Sequence, residues 1–243
     1  MALVTAASEA MRIVRKVEAW FPSGPPKRGS AFLAPAGGLL ITCAHVVTND
    51  AGERANRVIV DDPAGATYST TVAQVDDPHD LATIVTSETT AAPTRETGLP
   101  KVGEDVVFAG LPLGVHRVSV FPGMVSAVGD SLLAQPKCEL IQIAGMVNNG
   151  NSGGPLLNAN GAVIGVITAK YVPLLREIDK LLQDLTAAPT FPKGVQMNIG
   201  IDWGSFFEFT IQTTKQLGEV LRLVQVGTGW AVPAKYFTEV GGS

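Results

Sequence analysis

The stretch Gly150-Asn151-Ser152-Gly153-Gly154-Pro155 places three glycines around one serine. Glycine loses more conformational freedom on folding than any other residue, so it stands where φ must be positive or where another group approaches the backbone closely. If the N–H groups of Gly150 and Ser152 point into a common space, they can hydrogen-bond an oxyanion that forms beside the serine hydroxyl. The stretch therefore predicts either a nucleophile turn or an ordinary turn between strands, because Gly, Asn and Ser are all common turn residues.

A serine hydroxyl is a weak nucleophile unless a neighbouring base takes its proton and a third group fixes the tautomer of that base. The chain has three histidines, His45, His79 and His116. His45 lies at the end of a strand-like run over 39–47, beside a loop, and such rigid positions commonly carry catalytic groups. A core histidine bonded to a carbonyl is the alternative for His45. We expect His79 to be exposed and His116 to lie in a surface turn.

Asp80 is the candidate for the third group because it directly precedes the apolar run Leu81-Ala82-Thr83-Ile84-Val85. We expect its carboxylate to be anchored at the start of a strand and partly shielded from water. Asp76 and Asp77 lie further back in the same turn, where turn chemistry or solvation is their expected role.

The composition indicates a loop-rich globular chain. Its 243 residues are 46% hydrophobic and 16% charged, with 26 glycines and 16 prolines, which excludes a disordered chain. A net charge of −4 without a Lys/Arg cluster argues against nucleic acid as a partner, and no apolar stretch is long enough to span a membrane. Cys43 and Cys138 are too few for a disulfide framework and leave at most one bridge open. Charged residues interrupt the N-terminal apolar run, so we expect no secretory signal and a cytoplasmic location.

Short strand-like runs separated by turns form two sets, over about 28–90 and over about 100–170 with 226–237. One of these runs covers 68–75. Short strands at short intervals predict a barrel or a sandwich. Apolar residues three and four apart predict amphipathic helices over 1–21, at 173–185 and within 203–223. We interpret about 172–224 as a helical insertion that packs on the barrel, with partner binding as the alternative.

Three motifs together resemble the trypsin-like serine peptidases of the chymotrypsin fold: Thr42-Cys43-Ala44-His45, Asp80-Leu81-Ala82 and Gly150-Asn151-Ser152-Gly153-Gly154-Pro155. The order His, Asp, Ser is that family's order. The bacterial high-temperature-requirement type is the most similar, through Gly29-Ser30-Ala31-Phe32-Leu33, Ile141-Gln142 and the stretch 227–233. The resemblance implies an all-β fold of two six-stranded antiparallel barrels in a single peptidase domain over 1–243, to which this chain adds the helix and the insertion. We expect no PDZ module after residue 237.

The resemblance also implies roles for single residues. Ser152 is the nucleophile, His45 is the general base and then the acid, and Asp80 orients His45. The amides of Gly150 and Ser152 form the oxyanion hole. The implied activity is that of a serine endopeptidase that acts through an acyl-enzyme on a protein or peptide, and we expect neither a metal ion nor a cofactor.

Substrate contacts are implied on two sides of the serine. Thr168 matches the family's hydroxyl residue near the catalytic aspartate, and Ala169 with Lys170 matches the backbone edge that pairs with a bound peptide. The wall of the specificity pocket falls on Met146, Val147, Asn148 and Asn149. Met146 stands where trypsins carry a carboxylate, so we predict a small or medium apolar side chain before the scissile bond.

Two alternatives concern control of the site. The run 148–151 is rich in Asn and Gly, so the enzyme is expected either to be active as it stands or to be latent until a partner orders this loop. The other class of function is a catalytically silent protease-fold module that binds a partner through helices at 173–223.

Overall fold

A computed structural model describes residues 2–62, 64–112, 117–130, 136–170, 208–216 and 227–239. The contacts divide the chain into two units, one made of Met1–Lys170 with Val226–Ser243 and the other of Tyr171–Gln225. The first unit carries all the strands described below.

The first helix, α1 (Ala2–Ile13), is shorter than the helix predicted over 1–21. The chain continues directly into strand β1 (Val14–Trp20), so the prediction is wrong beyond Ile13. From Lys16 to Ala19 partly exposed and buried residues alternate, a period of two that belongs to a strand. The apolar residues spaced three and four apart continue past Ile13 into β1, although the residues of β1 are not helical.

The first sheet has seven strands in the order β5-β4-β1-β2-β3-β7-β6. After β1 they are β2 (Lys27–Leu33), β3 (Leu39–Thr42), β4 (Arg57–Asp61), β5 (Thr67–Thr70), β6 (Val72–Asp76) and β7 (Leu81–Val85). A one-turn helix, α2 (Ala44–Val47), lies between β3 and β4.

This sheet corrects the prediction of a six-stranded first barrel over 28–90. Strand β1 lies before residue 28 and adds a seventh strand, and the strand predicted over 68–75 is divided at Thr71 into β5 and β6. Those two strands occupy opposite edges of the sheet. Only Thr71 lies between β5 and β6, and one residue spans at most about 4 Å. The sheet must therefore curl so that its two edges come together at Thr71.

The second set of strands forms a closed six-stranded barrel in the order β10-β13-β12-β11-β8-β9, which confirms the second predicted barrel. Its strands are β8 (Asp105–Gly110), β9 (Ser119–Asp130), β10 (Glu139–Ala144), β11 (Pro155–Asn158), β12 (Val163–Lys170) and β13 (Thr228–Pro233). A 3-10 helix, Ala234–Glu239, follows β13.

The sheet and the barrel share a core. The larger apolar cluster contains residues of α1, of the first sheet and of barrel strands, among them Phe32, Leu81 and Leu157. A second cluster around Phe108 and Ile143 joins the barrel strands to one another. Each such side chain stabilises the fold by roughly 1.5–3 kcal/mol when it is fully buried. The first sheet and the barrel, which together carry the site, are therefore held together by a shared hydrophobic core.

In the second unit, residues 208–216 are helical and fall within the range 203–223 predicted as a helix. The helix predicted at 173–185 and the turn predicted around His116 lie outside the described residues. None of the described helices is both long and apolar enough to cross a lipid bilayer. Cys43 and Cys138 are free thiols, so they do not form the bridge that the sequence left open.

Candidate active site

The turn that carries Ser152 lies between β10 and β11, and its glycines are required by geometry. Gly150 and Gly153 have φ of +95° and +85°, a region that side-chain-bearing residues avoid. A Cβ at either position would also overlap a backbone oxygen, that of Leu111 or of Ser30 respectively. Gly154 has no room either, because a Cβ there would overlap the carbonyl of Ala109. The turn is therefore packed into place on several sides.

The backbone hydrogen bonds of this turn leave two donors unused. The N–H groups of Asn151, Gly153 and Gly154 donate to Asn148 O (3.0 Å), Ile167 O (2.8 Å) and Asn151 O (2.9 Å). Within the described part of the chain, no acceptor takes the N–H of Gly150 or of Ser152. These are the two amides that the family resemblance implies for the oxyanion hole.

His45 lies in α2, directly after β3 ends, rather than on the strand itself. Its Nδ1 lies 2.8 Å from Asp80 Oδ2 and 3.0 Å from Oδ1. A carboxylate only accepts, so Nδ1 carries a proton, and in the neutral ring Nε2 then has a free lone pair. The side chain is 47% exposed, which leaves the ring open to a substrate.

Asp80 lies in the turn before β7 and is buried, as the sequence predicted for its carboxylate. Its Oδ1 also accepts from the backbone N–H of His45 at 3.0 Å, and its Oδ2 accepts from the Thr168 hydroxyl. Burial alone would raise the pKa of this carboxyl, but the charge of His45 and the hydrogen bonds from His45 and Thr168 together outweigh it and lower the pKa. Asp80 is therefore ionised at neutral pH.

Thr168 joins the two halves of the site. Its hydroxyl donates to Asp80, and its backbone carbonyl accepts the Ser152 hydroxyl at 3.2 Å. It lies at an irregularity where β12 shifts register against β13, since Ile167 pairs with Ala231 while Ala169 pairs with the next residue, Trp230. Such bulges bend a strand and re-aim a side chain beside many active sites. Here the bulge places Thr168 between the serine and the aspartate.

The predicted pocket wall places its side chains in different environments. Val147 is buried against Gly229, and a Cβ at Gly229 would overlap the Val147 side chain. Asn148 is buried, with its amide directed to Met146 O at 3.4 Å. The Met146 side chain is half-exposed, and Asn149 is exposed. On the opposite side, the backbones of Ala169 and Lys170 pair with β13.

An open cavity of about 300 Å³ lies beside the His45 ring and is also lined by Lys27, Asp50, Asp77 and Asp80. A larger cavity, of about 480 Å³, is lined by Met11, Lys16, Leu111 and Arg117 among others and by no residue of the triad. Ser152 lines neither cavity, so the smaller one marks only the His45 and Asp80 side of the candidate site.

Cys43, His45 and Asp80 bring three donor atoms within 4.8 Å of one another, a grouping of the kind that can hold a metal ion. A thiol ligates zinc as a thiolate. Burial, followed by the charge of Asp80, raises the pKa of Cys43 well above its usual value, and its S–H donates to Ile167 O at 3.2 Å. Both Asp80 oxygens already accept hydrogen bonds. The donor set therefore does not fit a metal ion and is explained by the packing of the triad.

Three residues near the site have environments that the sequence did not reveal. His79 was expected to be exposed, and that is wrong: its side chain is only 17% exposed, bonds Asp76 Oδ2 through Nδ1 at 2.7 Å, and stacks on Tyr236 at 4.4 Å between ring centroids. Asn151 is fully buried, and neither polar atom of its amide has a hydrogen-bond partner among the described residues. Ser30 bonds the nucleophile turn from β2. No local pattern in the sequence marks these contacts, since they depend on how distant strands pack.

This geometry has a counterpart in known proteins. Residues 29–166, more than half of the chain, match the family described as trypsin-like peptidase domain. The chain belongs to this family.

The relatives are of the HtrA type, as the sequence resemblance indicated. The chain is 38% identical over 153 residues to the mitochondrial serine protease HTRA2 of Bos taurus, covering 60% of this chain and 32% of that protein. It is 32% identical over 207 residues to the putative serine protease HhoA of Synechocystis, covering 75% and 51%. Among solved structures, the HtrA-type protease AlgW with a tripeptide has a TM-score of 0.66 at 24% identity, covering 97% of this chain and 61% of that one. This likeness gives the chymotrypsin-like fold. The match thus spans about a third of the length of HTRA2 and about half of the length of HhoA.

Proposed function

We propose that this chain is a serine endopeptidase that cleaves peptide bonds through an acyl-enzyme on Ser152. The observation that carries the proposal is a continuous series of contacts from Ser152 through Thr168 and Asp80 to His45. The Ser152 hydroxyl bonds its carbonyl at 3.2 Å, Asp80 accepts from its hydroxyl, and the His45 ring bonds Asp80 at 2.8 Å. Nucleophile, base and orienting carboxylate are the parts that acyl transfer needs.

In the proposed reaction, His45 Nε2 takes the proton of the Ser152 hydroxyl as Oγ attacks the scissile carbonyl carbon. The carbonyl oxygen becomes an oxyanion, and the free N–H groups of Gly150 and Ser152 are suited to bind it. Protonated His45 then gives its proton to the leaving amine, and the acyl-enzyme remains. Water attacks this ester with His45 again as base, and the acid product and free Ser152 result. Asp80 stays ionised throughout and holds the charged ring.

The resting hydroxyl faces Thr168 O, so a rotation about the Cα–Cβ bond of Ser152 must bring it to His45 before attack. Side-chain rotations are fast, so this rotation is compatible both with an enzyme that is active as it stands and with a latent form that a partner completes. The helices of 173–223 are the proposed contact for such a partner. Addition of an activating partner should increase the rate at which a fluorophosphonate labels Ser152, and an unchanged rate would remove latency from the proposal.

We infer that the substrate is a polypeptide bound in extended form along the edge of β12. On the side of β11, the backbone pairing of β12 reaches Ile167, whose N–H donates to Gly154 O at 2.9 Å. Thr168, Ala169 and Lys170 follow, and a strand edge of this kind can pair with a peptide. The AlgW structure contains a tripeptide, and a peptide is the class of ligand proposed here for this chain.

The proposed side chain before the scissile bond is small or medium and apolar, because Met146 and Val147 place no carboxylate in the pocket wall. A library of fluorogenic peptides tests this, and a preference for Arg or Lys would contradict it. Met146→Asp should move the preference towards Arg and Lys. Met11→Asp is the matched control, because Met11 is equally exposed, at 52% against 51%, and lies on α1.

The test of the activity is covalent labelling of the purified chain. A fluorophosphonate should add one adduct, mapped to Ser152 by mass spectrometry, and Ser152→Ala should remain unlabelled. Loss of the triad in such enzymes costs on the order of 10⁶ in rate, so the contrast will be large. If the wild-type chain is neither labelled nor active on any peptide of the library, the catalytically silent binding module becomes the better hypothesis.

A further inference from the structure

Ser30 lies in β2, in the half of the molecule opposite to the nucleophile turn, and is completely buried. Its backbone N–H donates to Ser152 O at 2.9 Å, and its hydroxyl donates to Gly150 O at 2.7 Å. The same hydroxyl accepts from Leu111 N at 3.1 Å, and the Ser30 carbonyl accepts from Thr42 Oγ1 at 2.7 Å. Every polar group of this residue is therefore engaged, and two of them hold the turn that carries the nucleophile.

The two bonds to the turn lie on either side of the peptide unit that carries the Ser152 N–H. Each peptide unit is planar, so fixing a carbonyl fixes the direction of the N–H in the same unit. Ser30 holds the carbonyls of Gly150 and Ser152, which belong to the units on either side of the one that carries the Ser152 N–H. With the two outer units fixed, little torsional freedom remains to turn the Ser152 N–H. The Gly150 N–H belongs to the preceding Asn149–Gly150 unit, so Ser30 restrains it from one side, through the fixed Gly150 carbonyl.

Packing around Ser30 prevents the turn from moving to other partners. A Cβ at Gly110 would lie 3.0 Å from Ser30 Oγ and 2.8 Å from Asn151 Cα, so glycine alone allows the three backbones to approach. Without the Ser30 hydroxyl, Gly150 O would keep only Leu111 N, which is 3.4 Å away. That bond is too long to replace the one of 2.7 Å.

We propose that Ser30 is a positioning residue for the oxyanion hole. Its hydroxyl, oriented by the Leu111 N–H, holds the Gly150 carbonyl. It thereby aims the Ser152 N–H at the site of the developing charge and restrains the adjoining Gly150 N–H from one side. The inference rests on the proposed function of the chain. It assigns the positioning of the turn backbone to Ser30, which lies outside the proposed triad. Because the oxyanion exists only during the reaction, Ser30 affects the chemical step rather than the binding of the peptide.

The decisive variant is Ser30→Ala, compared with Thr86→Val. Thr86 is also buried, and its hydroxyl also makes two hydrogen bonds, to Tyr68 OH at 2.8 Å and from Glu88 N at 3.2 Å, away from the site. Both variants lose a buried hydroxyl and are expected to lower the melting temperature. Ser30→Ala should reduce kcat on a fluorogenic peptide by about 10- to 100-fold with little change in KM, as expected when oxyanion donors are misplaced. Thr86→Val should retain kcat.

A peptide boronic acid separates positioning from general damage, because its tetrahedral adduct places an oxygen in the oxyanion hole. Its affinity should fall in Ser30→Ala by the same factor as kcat, while the affinity of the corresponding uncleaved product peptide stays constant. Ser30→Cys, which keeps a weak donor of similar size, should give intermediate values. Unchanged kcat and boronate affinity in a folded Ser30→Ala would overturn the proposal, and so would equal losses in Ser30→Ala and Thr86→Val.

An NMR measurement keeps this inference distinct from the proposed function. In ¹⁵N-labelled protein, the amide signals of Gly150 and Ser152 should shift or broaden in Ser30→Ala or Ser30→Cys and stay in place in Thr86→Val. This readout needs no catalysis, so it decides the role of Ser30 even if the wild-type chain cleaves nothing. Unmoved Gly150 and Ser152 signals in both Ser30 variants would refute the positioning role.

Discussion

Asp80 accepts a hydrogen bond at each of its oxygen atoms. Its carboxylate takes bonds from the His45 ring, the His45 N–H and the Thr168 hydroxyl, and its backbone carbonyl takes one from Ala44 N at 3.1 Å. It also has φ of +53°, and no other non-glycine residue of the described ranges has a positive value. This conformation costs roughly 1–2 kcal/mol for a side-chain-bearing residue, and the surrounding hydrogen bonds hold it.

We expect Asp80→Asn to reduce kcat by about 10⁴-fold while the chain remains folded, because the amide no longer favours the reactive tautomer of His45. The variant should also change how stability depends on pH. The pKa of Asp80 is lowered in the folded chain, so its stabilisation is present above the unfolded pKa and is lost as the pH falls through the folded pKa. Urea unfolding at a series of pH values measures this.

In that experiment, the difference in unfolding free energy between wild type and Asp80→Asn should shrink as the pH is lowered from neutral. A difference that grows towards acid pH would contradict the lowered pKa.

The residues of the triad were predictable because each lies in a short motif whose chemistry can be read locally. Ser30 appeared only as part of a resemblance, since its partner Gly150 is 120 positions away and their contact depends on how β2 packs against the barrel. His79 was assigned to solvent because its neighbours in sequence are turn residues, whereas Tyr236, which covers it, comes from the C-terminal 3-10 helix. Local motifs thus pointed to the candidate reacting groups, whereas the roles of Ser30 and His79 depend on contacts between distant segments.

Among the secondary-structure elements, β12 contributes most directly to the site through its bulge at Thr168. Val166 packs in the larger apolar cluster and Ile167 in the second one, on opposite faces as a regular strand requires. The regular pairing then breaks between Ile167 and Ala169, at Thr168. The sequence predicted a strand here but could not predict the extra residue, because a bulge is set by the pairing with β13. Likewise, the residues of β1 were predicted as helix, because local spacing does not show that they pair with β2 and β4.

Replacing Thr168 by Val should lower kcat/KM by about 10- to 100-fold, because a hydrogen bond to a charged group contributes roughly 1.5–3 kcal/mol. The methyl group keeps the volume and the backbone carbonyl, so the resting contact of Ser152 is preserved. Thr168→Ser retains the hydroxyl and should keep most of the activity. Steady-state kinetics on one fluorogenic peptide compares the two, and equal activity in both variants would mean that the hydroxyl does not support Asp80.

The turn between β6 and β7 has its own anchor in His79. The Nδ1 bond to Asp76 and the stack on Tyr236 fix the residue that precedes Asp80. We expect His79→Phe, which keeps the stack, and Asp76→Ala each to slow fluorophosphonate labelling several-fold, with the double variant no slower than the worse single one. Additive losses in this double-mutant cycle would show that the two side chains act independently.

For the whole molecule, the junction of the two units is informative. Strands β12 and β13 remain paired up to Lys170 and Gly229, so the chain leaves and rejoins the barrel at neighbouring points. The intervening unit, Tyr171–Gln225, is inserted where a short hairpin loop would suffice.

We therefore expect that replacing residues 172–226 by a short Asn-Gly turn leaves the barrel folded, because this dipeptide suits tight hairpins. The shortened chain should still be labelled at Ser152 by a fluorophosphonate, and it should no longer respond to a partner that binds the inserted unit. Circular dichroism, thermal unfolding and labelling rates test this. A folded but unlabelled shortened chain would show that the insertion completes the site.

The paired ends of β12 and β13 also give the molecule a mechanical property. Tension applied at Lys170 loads the pairs Lys170–Gly229 and Ala169–Trp230 first, and the next residue inward is Thr168, whose carbonyl holds the Ser152 hydroxyl. Force applied at the end of β12 would therefore separate its pairs one after another, and Thr168, in the candidate site, is the third residue from that end. In a single-molecule pulling experiment with handles at residues 170 and 229, the first small extension should alter the reactivity of Ser152 before the barrel itself ruptures.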